Sequence, residues 1–80
     1  MKKLKIDLHN TMLLDDEDYY FLKGLEWRIE IHNGKDKYAS TKRSRDFAQH
    51  YIMRVKKGKR IIFKDGNGLN LQKSNLRYAI

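Results

Sequence analysis

Apolar and polar residues alternate over residues 3–8, where Leu4, Ile6 and Leu8 share one side, and this period of two predicts a strand. His9 and Asn10 suit a tight turn, and residues 11–14 read as a second short strand. The acidic run Asp15, Asp16, Glu17 and Asp18 then opens a helix that ends before Gly24. Carboxylates in a first turn face the positive end of the helix dipole, and Asp15 or Asp16 can cap its free N–H groups. The same run also reads as an acidic metal-binding cluster, although capping needs the same residue types at the same place.

Residues 26–32 alternate cleanly, with Trp27, Ile29 and Ile31 on one side and Arg28, Glu30 and His32 on the other. Asn33-Gly34 follows, a pair that accepts positive φ at both positions and so predicts a hairpin. Residues 37–42 return as its partner strand, with Tyr38 among them. Trp27 reads as a core anchor, with base stacking as the alternative.

Over residues 44–55 the period changes to that of a helix. Ala48, Tyr51, Ile52 and Val55 recur on one face, Phe47 lies one turn before Tyr51, and Ser44 is positioned as the cap. Residues 56–60 form a basic turn, and Gly58 lets its backbone approach a partner closely. Residues 61–63 predict a short strand, residues 65–68 a turn, residues 70–76 a short helix or helical turn, and residues 78–80 a last short strand. The pattern predicts one domain over residues 1–80. Its class is α+β, with a three- to four-stranded antiparallel N-terminal sheet, a short helix, and a second, mixed unit.

Composition adds a direction. The 80 residues carry 18 Lys and Arg against 10 Asp and Glu, a formal charge of +8. Residues 1–32 hold five basic and seven acidic residues, a net of −2, whereas residues 33–80 hold thirteen and three, a net of +10. Such an excess attracts a polyanion, although each lysine taken singly is an ordinary solvated charge. There is no cysteine, hence no disulfide framework and no thiolate metal site. No apolar run is long enough for a membrane span, and no strongly amphipathic helix points to a membrane surface. The basic start is not followed by the apolar core of a signal peptide. These features predict a cytoplasmic protein without a membrane partner.

One stretch carries more specific information. Phe63-Lys64-Asp65-Gly66-Asn67-Gly68-Leu69-Asn70-Leu71-Gln72-Lys73-Ser74-Asn75-Leu76-Arg77 resembles the second half of the HNH homing-endonuclease motif. In that family the stretch runs approximately His-Lys-Asp-Gly-Asn-x-Leu-Asn-Asn-x-x-x-Asn-Leu-Arg. Further likenesses run through Leu13-Leu14-Asp15-Asp16-Glu17-Asp18-Tyr19, Trp27, Tyr38-Ala39 and His50-Tyr51-Ile52-Met53, in the order of the phage-type enzymes. The resemblance implies a ββα-metal unit in the second half of the chain. It also implies that the position of the general base is Phe63, that of the residue orienting the base is Leu71, and that of a metal-binding Asn is Asn75. The residue before the base, usually a metal ligand, is Ile62.

Hydrolysis at such a site needs a base to deprotonate water and a divalent ion to stabilise charge on the phosphate and the leaving oxygen. Phe63 has no basic nitrogen, Ile62 has no ligand oxygen, and Leu71 cannot orient an imidazole. The expectation is a relict site of Ile62, Phe63, Leu71 and Asn75 in which core has replaced polar groups, with no catalytic residue, metal or cofactor. Asn75 alone keeps a ligand-type side chain, and turn capping is its bland reading. His50 is the one neighbour that could stand in as base, and His9 and His32 read as solvated.

The remaining candidates are basic: Lys42, Arg43 and Arg45 before the second helix, Lys56, Lys57, Lys59 and Arg60 after it, and Lys64, Lys73 and Arg77 around the relict motif. The expected partner is DNA, gripped through its phosphates without cleavage. The alternative from a different class is a phage-type inhibitor that uses the same face on an acidic or nucleic-acid-bound host protein, an anti-CRISPR protein for instance. A nicking endonuclease with a relocated base is the third reading.

Overall fold

The computed structural model describes residues 1–54 and 60–79. In chain order these form β1 (Lys2–Lys5), β2 (Thr11–Leu14), α1 (Asp16–Leu22), β3 (Trp27–His32), β4 (Asp36–Thr41), α2 (Ala48–Met53), β5 (Ile61–Phe63), a 3-10 turn (Lys73–Asn75) and β6 (Leu76–Tyr78). The result is a small mixed α/β domain with short antiparallel sheets and two helices. The three- to four-stranded N-terminal sheet is not formed. Among the described residues the named strands form three two-stranded ladders, β1–β2, β3–β4 and β5–β6, each between neighbours in sequence, with isolated bridges at Leu13–Asn70 and Ser40–Phe47.

Two-stranded ladders are marginal alone and need a shared hydrophobic face. Here every ladder and both helices contribute to one cluster. Met12 and Leu14 come from β2, Leu22 from α1, Trp27 from β3, Ala39 from β4, Ala48 and Ile52 from α2, Leu69 and Leu71 from the loop after β5, and Leu76 from β6. Trp27 is 6 % exposed, and its indole N–H donates to the Leu22 carbonyl at 2.9 Å. It is a core anchor, and its burial removes the base-stacking alternative.

Several boundaries differ from the sequence pattern for physical reasons. β1 stops at Lys5 because residues 6–10 close into a turn. There the Ile6 N–H donates to the Asn10 carbonyl, and the Asp7 carboxylate accepts from the His9 N–H and the Asn10 amide. Leu8, expected beside Leu4 and Ile6, is 79 % exposed on that turn. The β3–β4 hairpin turns at Asn33 and Gly34, with φ of 55° and 75°, as the pair requires. The ladder outruns the core there, so Ile31 faces out although it shares a side with Trp27.

The second helix begins at Ala48 rather than at Ser44. Arg45 is left-handed (φ 59°), and Phe47 is extended and bridges back to Ser40 of β4. Ser44 caps no helix. Its hydroxyl bonds the Asp46 carboxylate at 2.6 Å and the Thr41 hydroxyl at 2.9 Å, which fixes the β4–α2 turn. The expected helical end at Val55 lies outside the described residues. Residues 70–76 form only the single 3-10 turn, and the last strand begins at Leu76, before Tyr78.

Candidate nucleic-acid interface

Residues 64–75, within the stretch that resembles the HNH motif, form a loop tied together by its own polar side chains. The Asp65 carboxylate accepts the Asn67 N–H at 2.8 Å, the Asn70 amide at 2.8 Å and the Asn75 amide at 2.9 Å. Those three donors hold the Asp65 carboxyl below the usual carboxylate range, the Asn70 amide most of all. The Asn67 side-chain oxygen accepts the Leu69 N–H at 3.0 Å. Asn75 is 8 % exposed. Its amide nitrogen also donates to the Asn70 carbonyl at 2.9 Å, and its side-chain oxygen accepts the Asp65 N–H at 3.1 Å. Both ends of the Asn75 side chain are therefore occupied in holding the loop, which is the turn-capping role.

The loop then docks on β2. The Leu13 N–H donates to the Leu69 carbonyl and the Leu71 N–H to the Leu13 carbonyl, each at 2.8 Å. This seats Leu71 at 0 % exposure in the core. Phe63 packs on the same core, and its ring lies 5.7 Å from that of Tyr38. Ile62 differs from the expectation that core has filled the whole site. It pairs with exposed Arg77 in the β5–β6 ladder and so lies on the ladder's other face, half-buried and outside the core cluster.

The acidic run opens α1 as expected, with Asp16, Glu17 and Asp18 in its first turn. Asp15 stands at the N-cap, but neither it nor Asp16 caps the helix through its side chain. The Asp15 carboxylate instead accepts the backbone N–H of Lys73 at 3.0 Å, and the Lys73 ammonium lies 2.6 Å from Glu17 and 3.7 Å from Asp18. The Glu17 carboxylate pushes the Lys73 pKa up, and Lys73 pulls that of Glu17 down. Asp18 shifts the other way, upward, because burial disfavours its charged form. The run clamps the start of α1 to the 3-10 turn, and no group of three or more His, Asp or Glu that could hold a metal occurs among the described residues.

Of the basic candidates, Lys42, Arg43 and Arg45 come together, all exposed, on the β4–α2 turn. Lys42 and Arg43 border a cleft that also takes in Leu25, Glu26 and Tyr51. Arg60, Lys64 and Arg77 are exposed on and beside the β5–β6 ladder. Lys73 is neutralised by Glu17 and Asp18. Lys56, Lys57 and Lys59 lie outside the described residues.

His9 is exposed, as expected. His32 is exposed too, as expected, and its ring meets Tyr38 at 5.0 Å and Phe47 at 5.8 Å edge to face. Phe47 also meets His50 at 6.1 Å. This group of rings between hairpin and helix is absent from the sequence reading because its members come from three separate segments. The recurrence of aromatics at residues 32, 38, 47 and 50 is the only trace of it in the chain. Compared with protein-family models, with curated proteins and with solved structures, the chain shows no match.

Proposed function

We propose that this chain is a non-catalytic nucleic-acid-binding module on an HNH-like frame, gripping duplex DNA chiefly through its phosphates. The observation that supports this reading is a division of labour within the motif. Its surviving polar residues, Asp65, Asn67, Asn70 and Asn75, are occupied in hydrogen bonds that shape the loop, and the base and orienting positions are the packing residues Phe63 and Leu71. A frame so maintained without its reactive groups retains the use that needs only shape and charge. Lys42, Arg43 and Arg45 supply that charge on a turn whose geometry is fixed by the Thr41, Ser44 and Asp46 hydrogen bonds. In this reading the ββα-metal unit is degenerate, with β5 and β6 as its hairpin.

The test is fluorescence anisotropy of a labelled mixed-sequence duplex at about 50 mM and about 200 mM salt. A grip on four phosphates lowers the affinity by about a hundredfold across that range, because each neutralised phosphate releases counterion. Absence of binding at the lower salt overturns the reading.

One observation favours a second reading, the protein inhibitor. Tyr20 and Phe21 of α1 are 59 % and 61 % exposed, with Leu25 at 37 %. Exposed large apolar residues so close together suit a protein contact. That reading expects a stable complex with one host protein in a pull-down and weak binding to DNA.

A further inference from the structure

Between the β3–β4 hairpin and α2 lies a shallow cavity of about 220 Å³. His32 and Tyr38 of the hairpin, with Phe47 and His50 at the start of the helix, supply four rings to its wall. The contacts among these rings are edge to face, with interplanar angles of 61° to 82°, so none is a parallel stack and ring faces are left unstacked. Gln49 also lines the cavity. It is 9 % exposed, and its side-chain oxygen has no hydrogen-bond partner among the described residues. Exposed Arg60 stands on the same cavity.

An amide buried without its partner is a standing cost that an apolar residue at the same place avoids. A helix built for packing alone has no reason to carry Gln there. Flat rings, one primary amide and one guanidinium are together the means by which proteins hold a single unstacked base. The rings stack on its face, the amide meets its hydrogen-bonding edge, and the cation takes the adjoining phosphate. Tyr38 also touches Phe63, so the cavity lies one ring away from the relict motif.

We infer that this cavity holds one unpaired nucleobase, with Phe47 as its stacking surface, Tyr38 standing across its edge, Gln49 on the base edge and Arg60 on its phosphate. The inference rests on the nucleic-acid-binding reading and narrows it. The favoured ligand is not an intact duplex but a strand that carries a base outside the stack, as in a bulge, a frayed end or a single strand.

The experiment compares three labelled probes of equal length at one low salt concentration: a perfect duplex, the same duplex with one unpaired adenine, and the single strand. The bulged duplex is expected to bind about tenfold more tightly than the perfect one, the size of one base–aromatic stack. Gln49→Leu and Phe47→Leu are expected to abolish that preference and leave the affinity for the perfect duplex unchanged. Gln49→Leu removes a buried oxygen that has no partner among the described residues, so it is expected to keep its fold, which circular dichroism checks. Equal binding of all three probes by the wild type overturns the inference and leaves the phosphate-binding reading standing. A preference that persists in both variants overturns it too, because the base is then held elsewhere. Binding to none of the probes overturns the inference and the broader reading together.

Discussion

The ring of Tyr38 occupies the space into which a side chain at Gly68 would project. A β-carbon on Gly68 would stand 2.6 Å from Tyr38 Cδ1 and 2.8 Å from Cε1, and it would overlap the Lys37 carbonyl oxygen. Real carbon contacts are not that short, and the carbonyl belongs to a paired strand that cannot retreat. Gly68 therefore sets how closely the motif loop approaches the β3–β4 hairpin. Gly68→Ala is expected to destabilise the fold by about 1–3 kcal/mol, the usual cost of overpacking a tight site. Urea denaturation reads this directly, and an unchanged midpoint would mean that loop and hairpin do not meet as described. Gly24, with open space around it, is the control: Gly24→Ala lacks this penalty.

Asn75 and Asp65 form the second such relationship, a reciprocal pair in which each donates to the other. Asn75→Ala removes both ends of a buried amide and leaves the Asp65 N–H and the Asn70 carbonyl without that partner. The expected loss is about 1–3 kcal/mol. A variant as stable as wild type would show that the loop holds without its hub.

The same pair sets a pH dependence. The folded-state pKa of Asp65 is depressed by its amide donors, so at low pH the unfolded chain binds the extra proton. Its contribution to stability is fully present above the ordinary carboxylate pKa of about 3.9 and fades as pH falls through the lower folded value. Glu17 and Glu30 shift in the same direction, through Lys73 and the Ser40 hydroxyl respectively, whereas Asp18 shifts oppositely. Stability is therefore expected to drop below about pH 4, with a shallower drop in Asp65→Asn. Parallel curves for the two proteins would count against the Asp65 assignment.

Lys73 and Arg45 were equivalent in the sequence and are not equivalent in the fold. Lys73 faces Glu17 and Asp18, whereas Arg45 is exposed on the β4–α2 turn. For duplex DNA, Arg45→Ala and Arg43→Ala are each expected to reduce the slope of log affinity against log salt by roughly 0.9, one phosphate apiece. Lys73→Ala is expected to leave that slope alone. A triple Arg43, Arg45 and Arg60 to Ala variant that binds like wild type would remove the proposed surface, and a large effect from Lys73 would show that its ion pairs open on binding.

How far the sequence could be read follows from the range of the forces involved. The Asn33-Gly34 hairpin, β5 and the core role of Trp27 were legible because dihedral preference and alternation act locally. The three-stranded sheet was not, because alternation says that a strand has a buried side and not which partner covers it. In this fold the core clusters side chains from four strands, with β1 and β5 packed against it, without joining their ladders. The Ser44 cap failed because Ser caps a polar turn as readily as a helix, and the left-handed Arg45 decided between them. The acidic run was legible as the start of α1, but the partner of its side chains was not, because Lys73 lies 58 residues away from Asp15. The aromatic cavity had no local signature at all, since His32, Tyr38, Phe47 and His50 converge only after hairpin and helix have packed.

The reading of a retired nuclease makes one sharp demand on chemistry. Cleavage needs a positioned base and a ligand set for a divalent ion. At the motif positions stand Leu71, buried in the core, Phe63, half-buried against it, and Ile62, paired with Arg77 on the outer face. Wild-type protein at high concentration with magnesium is expected to leave supercoiled plasmid intact. Phe63→His restores an imidazole and nothing else. The neighbouring side chain still offers no oxygen, and Leu71 cannot turn the ring. That variant is expected to be equally inert in plasmid nicking, and less stable by about 1 kcal/mol because part of a half-buried aromatic face is lost. Magnesium-dependent nicking by the wild type would overturn the reading outright. If that nicking vanished in His50→Ala, the base would be the helix histidine, and the cavity beside it would be an active site rather than a base-binding pocket.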